Sequence, residues 1–157
     1  MAACVVLGLG NPLWGDEGFG VRAAEGLHAA YELPPGVELV DGGTQGFALL
    51  PWVARAERLL ILDAVDFGLA PGSLRLVRGE GVPRYLGARK VSMHQTGFQE
   101  VLAVASLAGE LPAELALVGV QPARLDFGAP LSPEAAAALG PAVAAAVAEL
   151  RRWGLAP

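Results

Sequence analysis

Cysteine, lysine and histidine are scarce in this chain of 157 residues. Cys4 is the only cysteine, so no internal disulfide and no CxxC metal knuckle can form. It lies in the first apolar run, where a cysteine reads as a small buried hydrophobe. Lys90 is the only lysine, and sixteen acids against eleven bases leave a net charge of -5. Such a balance builds no phosphate-tracking surface and argues against a nucleic-acid partner. The tryptophans at 14, 52 and 153 have no basic residues interleaved with them. The four serines, at 73, 92, 106 and 132, include none in a G-x-S-x-G elbow. No uncharged run reaches the roughly 18 to 20 residues that span a bilayer. The alanine-rich run at residues 135–148 is interrupted by Gly140-Pro141. The N-terminus has no basic n-region, and its apolar run breaks at Gly8 and Gly10. The expectation is a soluble cytoplasmic protein with no membrane insertion.

What the chain does have is apolar residues, 54% of it, with only 17% charged. That composition fills a core, and the length fits a single domain, residues 1–157. Short apolar runs alternate with amphipathic stretches, the pattern of an α/β fold with a mainly parallel twisted sheet. Five strands are expected: CVVLGL (4–9), VELVD (37–41), RLLILDAVD (58–66), SLRLV (73–77, an edge strand) and ELALVGVQP (114–122). Helices flanking both faces would make three layers. Val21, Ala24, Leu27 and Tyr31 mark the first helix, ended by Pro34-Pro35. A short helix follows VELVD, with Thr44 able to cap it and Pro51 expected to end or kink it. Residues 79–93 read as a long connection. Thr96 to Gln99 fits a capping box, and Ser132-Pro133-Glu134 opens the final helix.

The stretch that carries chemistry is GLGNPLWGDEGFG, residues 8–20. Its glycines do not keep the G-x-G-x-x-G spacing, and no Walker lysine follows. Asp16-Glu17 puts negative charge where a pyrophosphate needs positive charge, so a nucleotide is excluded. Ligands of open parallel sheets bind beyond the carboxyl ends of the strands. Three acidic stretches leave those ends: Asp16-Glu17, Asp41, and Asp63 with Asp66. A bound cation would stabilise such a gathering. His94, at a loop-to-helix junction, could complete a two-carboxylate, one-imidazole set suited to zinc or nickel. On residues alone the alternatives stay open. Asp63 could cap a helix, Glu17 could be a solvated loop acid, and His94 could be a hydrogen-bonded structural histidine. His28 reads as a surface residue of the first helix, and Trp14 as a possible contact for a protein or peptide.

Five blocks in order resemble the [NiFe]-hydrogenase maturation endopeptidases. They are VVLGLGNPLWGDEGFGVRAAE (5–25), VDGGTQGFALL (40–50), LILDAVDFG (60–68), PGSLRLVR (71–78) and SMHQTGFQEVLA (92–103). WGDEGFGVR and DGGTQG are most similar to the branch serving uptake hydrogenases. The resemblance implies a phosphorylase/hydrolase-like three-layer fold. It also implies an enzyme that removes the C-terminal extension of the hydrogenase large-subunit precursor once nickel is installed. By the same resemblance Glu17, Asp63 and His94 are metal ligands and act catalytically through the metal. Asp41, Gly42, Gly43 and Thr44 contact the precursor or its nickel. The nickel would arrive with the substrate, and no organic cofactor is implied. Asp16, or Asp63 itself, is an alternative general base. GLGNP also opens peptidyl-tRNA hydrolases, but the T-R-H-N continuation of that pattern is missing here. Two rival functions use the same residues: a non-catalytic nickel-sensing or chaperone module for the large subunit, and an autonomous metallohydrolase of small molecules.

Overall fold

The structure is a computed structural model that describes residues 2–88, 97–155 and 157. His94 and Thr96, both given roles above, lie outside the described residues. The element order is β1 (Ala2–Leu9), α1 (Phe19–Ala30), β2 (Val37–Gly43), α2 (Leu50–Arg55), β3 (Ala56–Ala64), β4 (Leu74–Arg78), α3 (Gly81–Ala88), α4 (Phe98–Leu107), β5 (Glu114–Val120) and α5 (Pro133–Arg152). The five strands form one sheet in the order β2-β1-β3-β5-β4. β1 pairs in parallel with β2 and β3, and β3 with β5, while the edge strand β4 runs antiparallel to β5.

The unbroken apolar runs of β1, β3 and β5 are explained by helices on both sheet faces. On one face Val6, Leu60, Leu62 and Val118 pack with Phe19, Leu27, Ala146 and Leu150 of α1 and α5. On the other, Val5, Leu7, Leu59, Ile61 and Leu117 pack with Val53, Phe98 and Leu102. Successive residues of one strand alternate between these two cores, as the period of two requires. α5 is long and apolar enough by length and composition to cross a membrane. Here Ala135, Ala138, Ala142, Ala146 and Leu150 form its buried face, and Glu149 on the same helix is paired with Arg78 of β4.

Several local expectations are corrected. β2 extends through Gly42 and Gly43, because Gly10 N–H bonds to the Gly43 carbonyl at 3.0 Å. β3 begins and ends two residues earlier than its apolar run suggested, which leaves Asp66 beyond the strand. Thr44 caps nothing; the 3-10 turn after it starts at Gly46 with Gln45 at its N-cap and no side-chain bond. Pro51 lies in the first turn of α2, where its missing N–H costs nothing, so it opens the helix. The connection 79–93 contains α3. α4 has Gly97 at its N-cap, one residue later than the capping-box register. The Ser132-Pro133 start of α5 is as expected, with the Ser132 hydroxyl accepting from Ala135 N–H at 3.2 Å.

Candidate active site

The glycine loop leaves β1 as a 3-10 turn, Pro12–Gly18, opened by the Asn11 side chain accepting from Leu13 N–H at 3.0 Å. The turn kinks at Trp14 and Gly15, and Gly15 takes φ +60, a left-handed conformation that favours glycine. Beyond the kink the chain faces inward, so Asp16 and Glu17 are buried while Leu13 stays exposed. Gly10, with φ +116, is the second constrained glycine. A Cβ there would collide with the Glu17 carbonyl oxygen and lie 3.8 Å from Asp63 Oδ1. The close approach of these backbones brings the Glu17 segment and the Asp63 carboxylate to one place, at the carboxyl ends of β1 and β3.

The two adjacent acids of the loop have opposite environments. Asp16 is fully buried, and both its oxygens are engaged. Oδ1 accepts from Ser132 N–H at 2.7 Å, and Oδ2 accepts from the Ser132 hydroxyl at 2.7 Å, Ala123 N–H at 2.7 Å and Arg124 N–H at 3.2 Å. Burial pushes its pKa up, but these four bonds together outweigh burial and hold it below the usual carboxylate range. A carboxylate so saturated is a clamp between the glycine loop and the segment before α5. It is a poor acceptor for a further proton, which argues against the general-base role considered for it.

Glu17 has no such support. Its side chain is buried, Oε1 has no hydrogen-bond partner among the described residues, and burial raises its pKa. Asp63, the penultimate residue of β3, is only partly exposed, and one oxygen accepts from Ala64 N–H at 2.8 Å. Burial pushes its pKa up to about 8; the Ala64 bond opposes this and the neighbouring Glu17 charge adds to it. Two neighbouring acids that burial drives toward the neutral form, Asp63 also by the Glu17 charge, are a donor pair in need of a cation. Among the described residues no cluster of three or more His, Cys, Asp or Glu side chains gathers to hold an ion. The third expected ligand, His94, belongs to the segment outside the described residues.

The second expected contact region, Asp41 to Thr44, borders the same end of the sheet. Asp41 lies opposite Gly8 in the β1–β2 register, and the register slips between Gly8 and Leu9, so that Leu9 pairs with Gly43. Gly42 is buried against Leu7, Leu9 and Leu49, whereas Asp41 and Thr44 are exposed. Gln121, at the end of β5, attracted no attention in the sequence. It is buried, its Oε1 accepts from Phe67 and Leu69 N–H at 2.7 and 3.2 Å, and its Nε2 donates to Asp66 Oδ1 at 3.1 Å. It therefore shapes the loop leaving β3 just after Asp63. The only signal available was a polar residue closing an apolar strand. Cys4 is buried in β1 with its thiol pushed up to about 12 by burial, so it is no nucleophile.

The profile of the hydrogenase maturation protease family (HycI) matches residues 21–149. The chain belongs to the hydrogenase maturation protease family. It is 55% identical over 152 residues to the hydrogenase expression/formation protein HupM of Azotobacter chroococcum, covering 96% of this chain and 73% of that protein. With the hydrogenase 2 maturation protease of Escherichia coli it shares 43% identity over 96% of this chain and 92% of that one. Its fold superposes on the E. coli hydrogenase maturating endopeptidase HybD with a TM-score of 0.92, at 41% identity over 99% and 96% of the two chains. This hydrogenase maturation protease is accordingly a peptidase, and the family resemblance seen in the sequence holds. The Glu17–Asp63 pair lies at the carboxyl ends of β1 and β3, where ligands of open α/β sheets bind.

Proposed function

We propose that this protease removes the C-terminal extension from the nickel-loaded precursor of a [NiFe]-hydrogenase large subunit, and that the nickel is recognised as part of the substrate. One observation carries the reading: a buried Glu17 carboxylate with an unpartnered oxygen beside a second strained carboxylate, Asp63. Leaving a buried charged group unpaired is costly, and the cost is recovered when a cation arrives. A site tuned in this way favours a precursor that carries its metal over one that does not. His94 would supply the imidazole of the set, and Asp41 to Thr44 would line the approach.

Hydrolysis adds one water across the scissile amide: the C–N bond breaks, the carbonyl carbon gains the hydroxyl, and the leaving nitrogen takes a proton. Glu17 and Asp63 hold the substrate's metal against the end of β1 and β3, which fixes the scissile bond beside it. Asp16 holds the turn that presents Glu17. Replacing Glu17 by Gln or Asp63 by Asn should leave the fold intact and the extension uncleaved, read by mass spectrometry of the precursor. Wild-type processing by both variants would refute the assignment.

A further inference from the structure

We propose that Leu13, Trp14 and Phe127 form a preorganised docking patch that seats an apolar stretch of the precursor polypeptide beside the cleavage site. The inference rests on the reading that this chain processes a protein precursor. Leu13 is 59% and Phe127 68% exposed, and the Phe127 ring lies 5.1 Å from that of Trp14 at a tilt of 59°. Single exposed hydrophobes are ordinary. Here two of them, Leu13 and Phe127, flank the half-buried Trp14 across two loops, and the loops are tied together. Gly128 N–H bonds to the Leu13 carbonyl at 2.7 Å, and Asp16 N–H to the Arg124 carbonyl at 2.9 Å. The four bonds onto the Asp16 carboxylate add to that tie. Rigid exposed aromatics lose little entropy when covered, which is what makes them effective anchors in protein interfaces.

The occupant follows from position. Trp14 and Glu17 belong to the same turn, Pro12–Gly18, and three residues span at most about 10 Å. The patch therefore lies within reach of a polypeptide whose scissile bond is held at Glu17. The three side chains carry no charge, although the exposed Arg124 and Asp126 flank Phe127 on its loop, so the patch itself selects for apolar side chains in the part of the precursor next to the bond that is cut. It would distinguish precursors from one another, whereas the carboxylates distinguish loaded from unloaded metal.

The test uses the full chain and the nickel-loaded precursor, comparing wild type with Leu13→Ser, Phe127→Ser and the double variant Trp14→Ala/Phe127→Ser. The expected result is a KM raised about ten-fold or more in the double variant, with kcat at saturating precursor within about two-fold of wild type. Thermal melts by circular dichroism control for folding. If Trp14→Ala melts early, Phe127→Ser carries the test, because its ring is exposed on a loop. Unchanged kcat/KM in the Phe127 and Leu13 variants would overturn the proposal, as would a fall in kcat with KM unaltered. Failure of the protease reading is separable. If wild type binds the precursor without cutting it, complex formation decides the matter: loss in the double variant supports docking, and retention overturns it.

Discussion

Asp16 and Ser132 stand 116 residues apart and are joined twice, through the Ser132 N–H and its hydroxyl, both at 2.7 Å. The same hydroxyl accepts from Ala135 N–H and so caps α5. The positive end of a 20-residue helix thus faces the buried Asp16 anion, and the loop that carries Glu17 is fixed to the opposite end of the chain.

Asp16→Ala removes an acceptor that satisfies four donors. It should destabilise the protein by roughly 3 kcal/mol, with Asp16→Asn intermediate because one amide nitrogen replaces an acceptor. Denaturant titration checks this. Wild-type stability in Asp16→Asn, with processing lost, would instead make Asp16 a catalytic group.

Glu17→Gln removes a buried charge whose oxygen has no partner. The metal-free variant should melt no lower than wild type and gain about 1 kcal/mol near neutral pH, while cleaving no precursor. A clear fall in melting temperature would show that the Glu17 charge has a stabilising partner in the folded protein.

The sequence made the fold legible because β1, β3 and β5 are covered on both faces and so appear as unbroken apolar runs. The edge elements were less legible. β2 ends in glycines that resemble a loop, and pairing of Gly43 with Leu9 and the bond from Gly10 N–H to the Gly43 carbonyl keep them in the strand. α3 was hidden by Pro83 and Gly87, whose local preferences the packing of Val82 and Leu86 overrides. The acidic stretches at the strand ends could be read from the sequence, and the family resemblance singled out Glu17 and Asp63 within them. The opposite environments of Asp16 and Glu17 could not, because the donors to Asp16 come from residues 123 to 132, far along the chain.

Glu149 gives a pH prediction away from the site. Its side chain is 1% exposed and accepts two bonds each from Arg78 and Arg152, at 2.9 to 3.1 Å. The Arg78 bonds first, and those of Arg152 after them, outweigh burial and hold its pKa at about 2, against an ordinary 4.5. A carboxyl depressed in the folded state stabilises above its unfolded pKa. That stability is lost as pH falls from about 4.5 toward about 2. Discounted for the half-exposed guanidiniums, the loss is on the order of 2 kcal/mol. Melts of wild type and Glu149→Gln should differ at pH 6 to 7 and converge near pH 2, taken as rough limits. A constant difference across that range would show that the ion pair is not its source.

Gln121→Ala frees the N–H groups of Phe67 and Leu69 and one bond to Asp66. A loss of about 2 kcal/mol in stability is expected, together with slower processing, because the loop after Asp63 loses its brace. Unchanged hydrogen-exchange rates at Phe67 and Leu69 would contradict that bracing role.

On the proposed reading, nickel carried by the precursor licenses the cut. The direct measurement is mass spectrometry of the large-subunit precursor, with and without nickel, after incubation with this protein. The expected result is loss of a C-terminal peptide from the nickel-loaded form alone. Equal cleavage of the nickel-free form, or none of either, would contradict it.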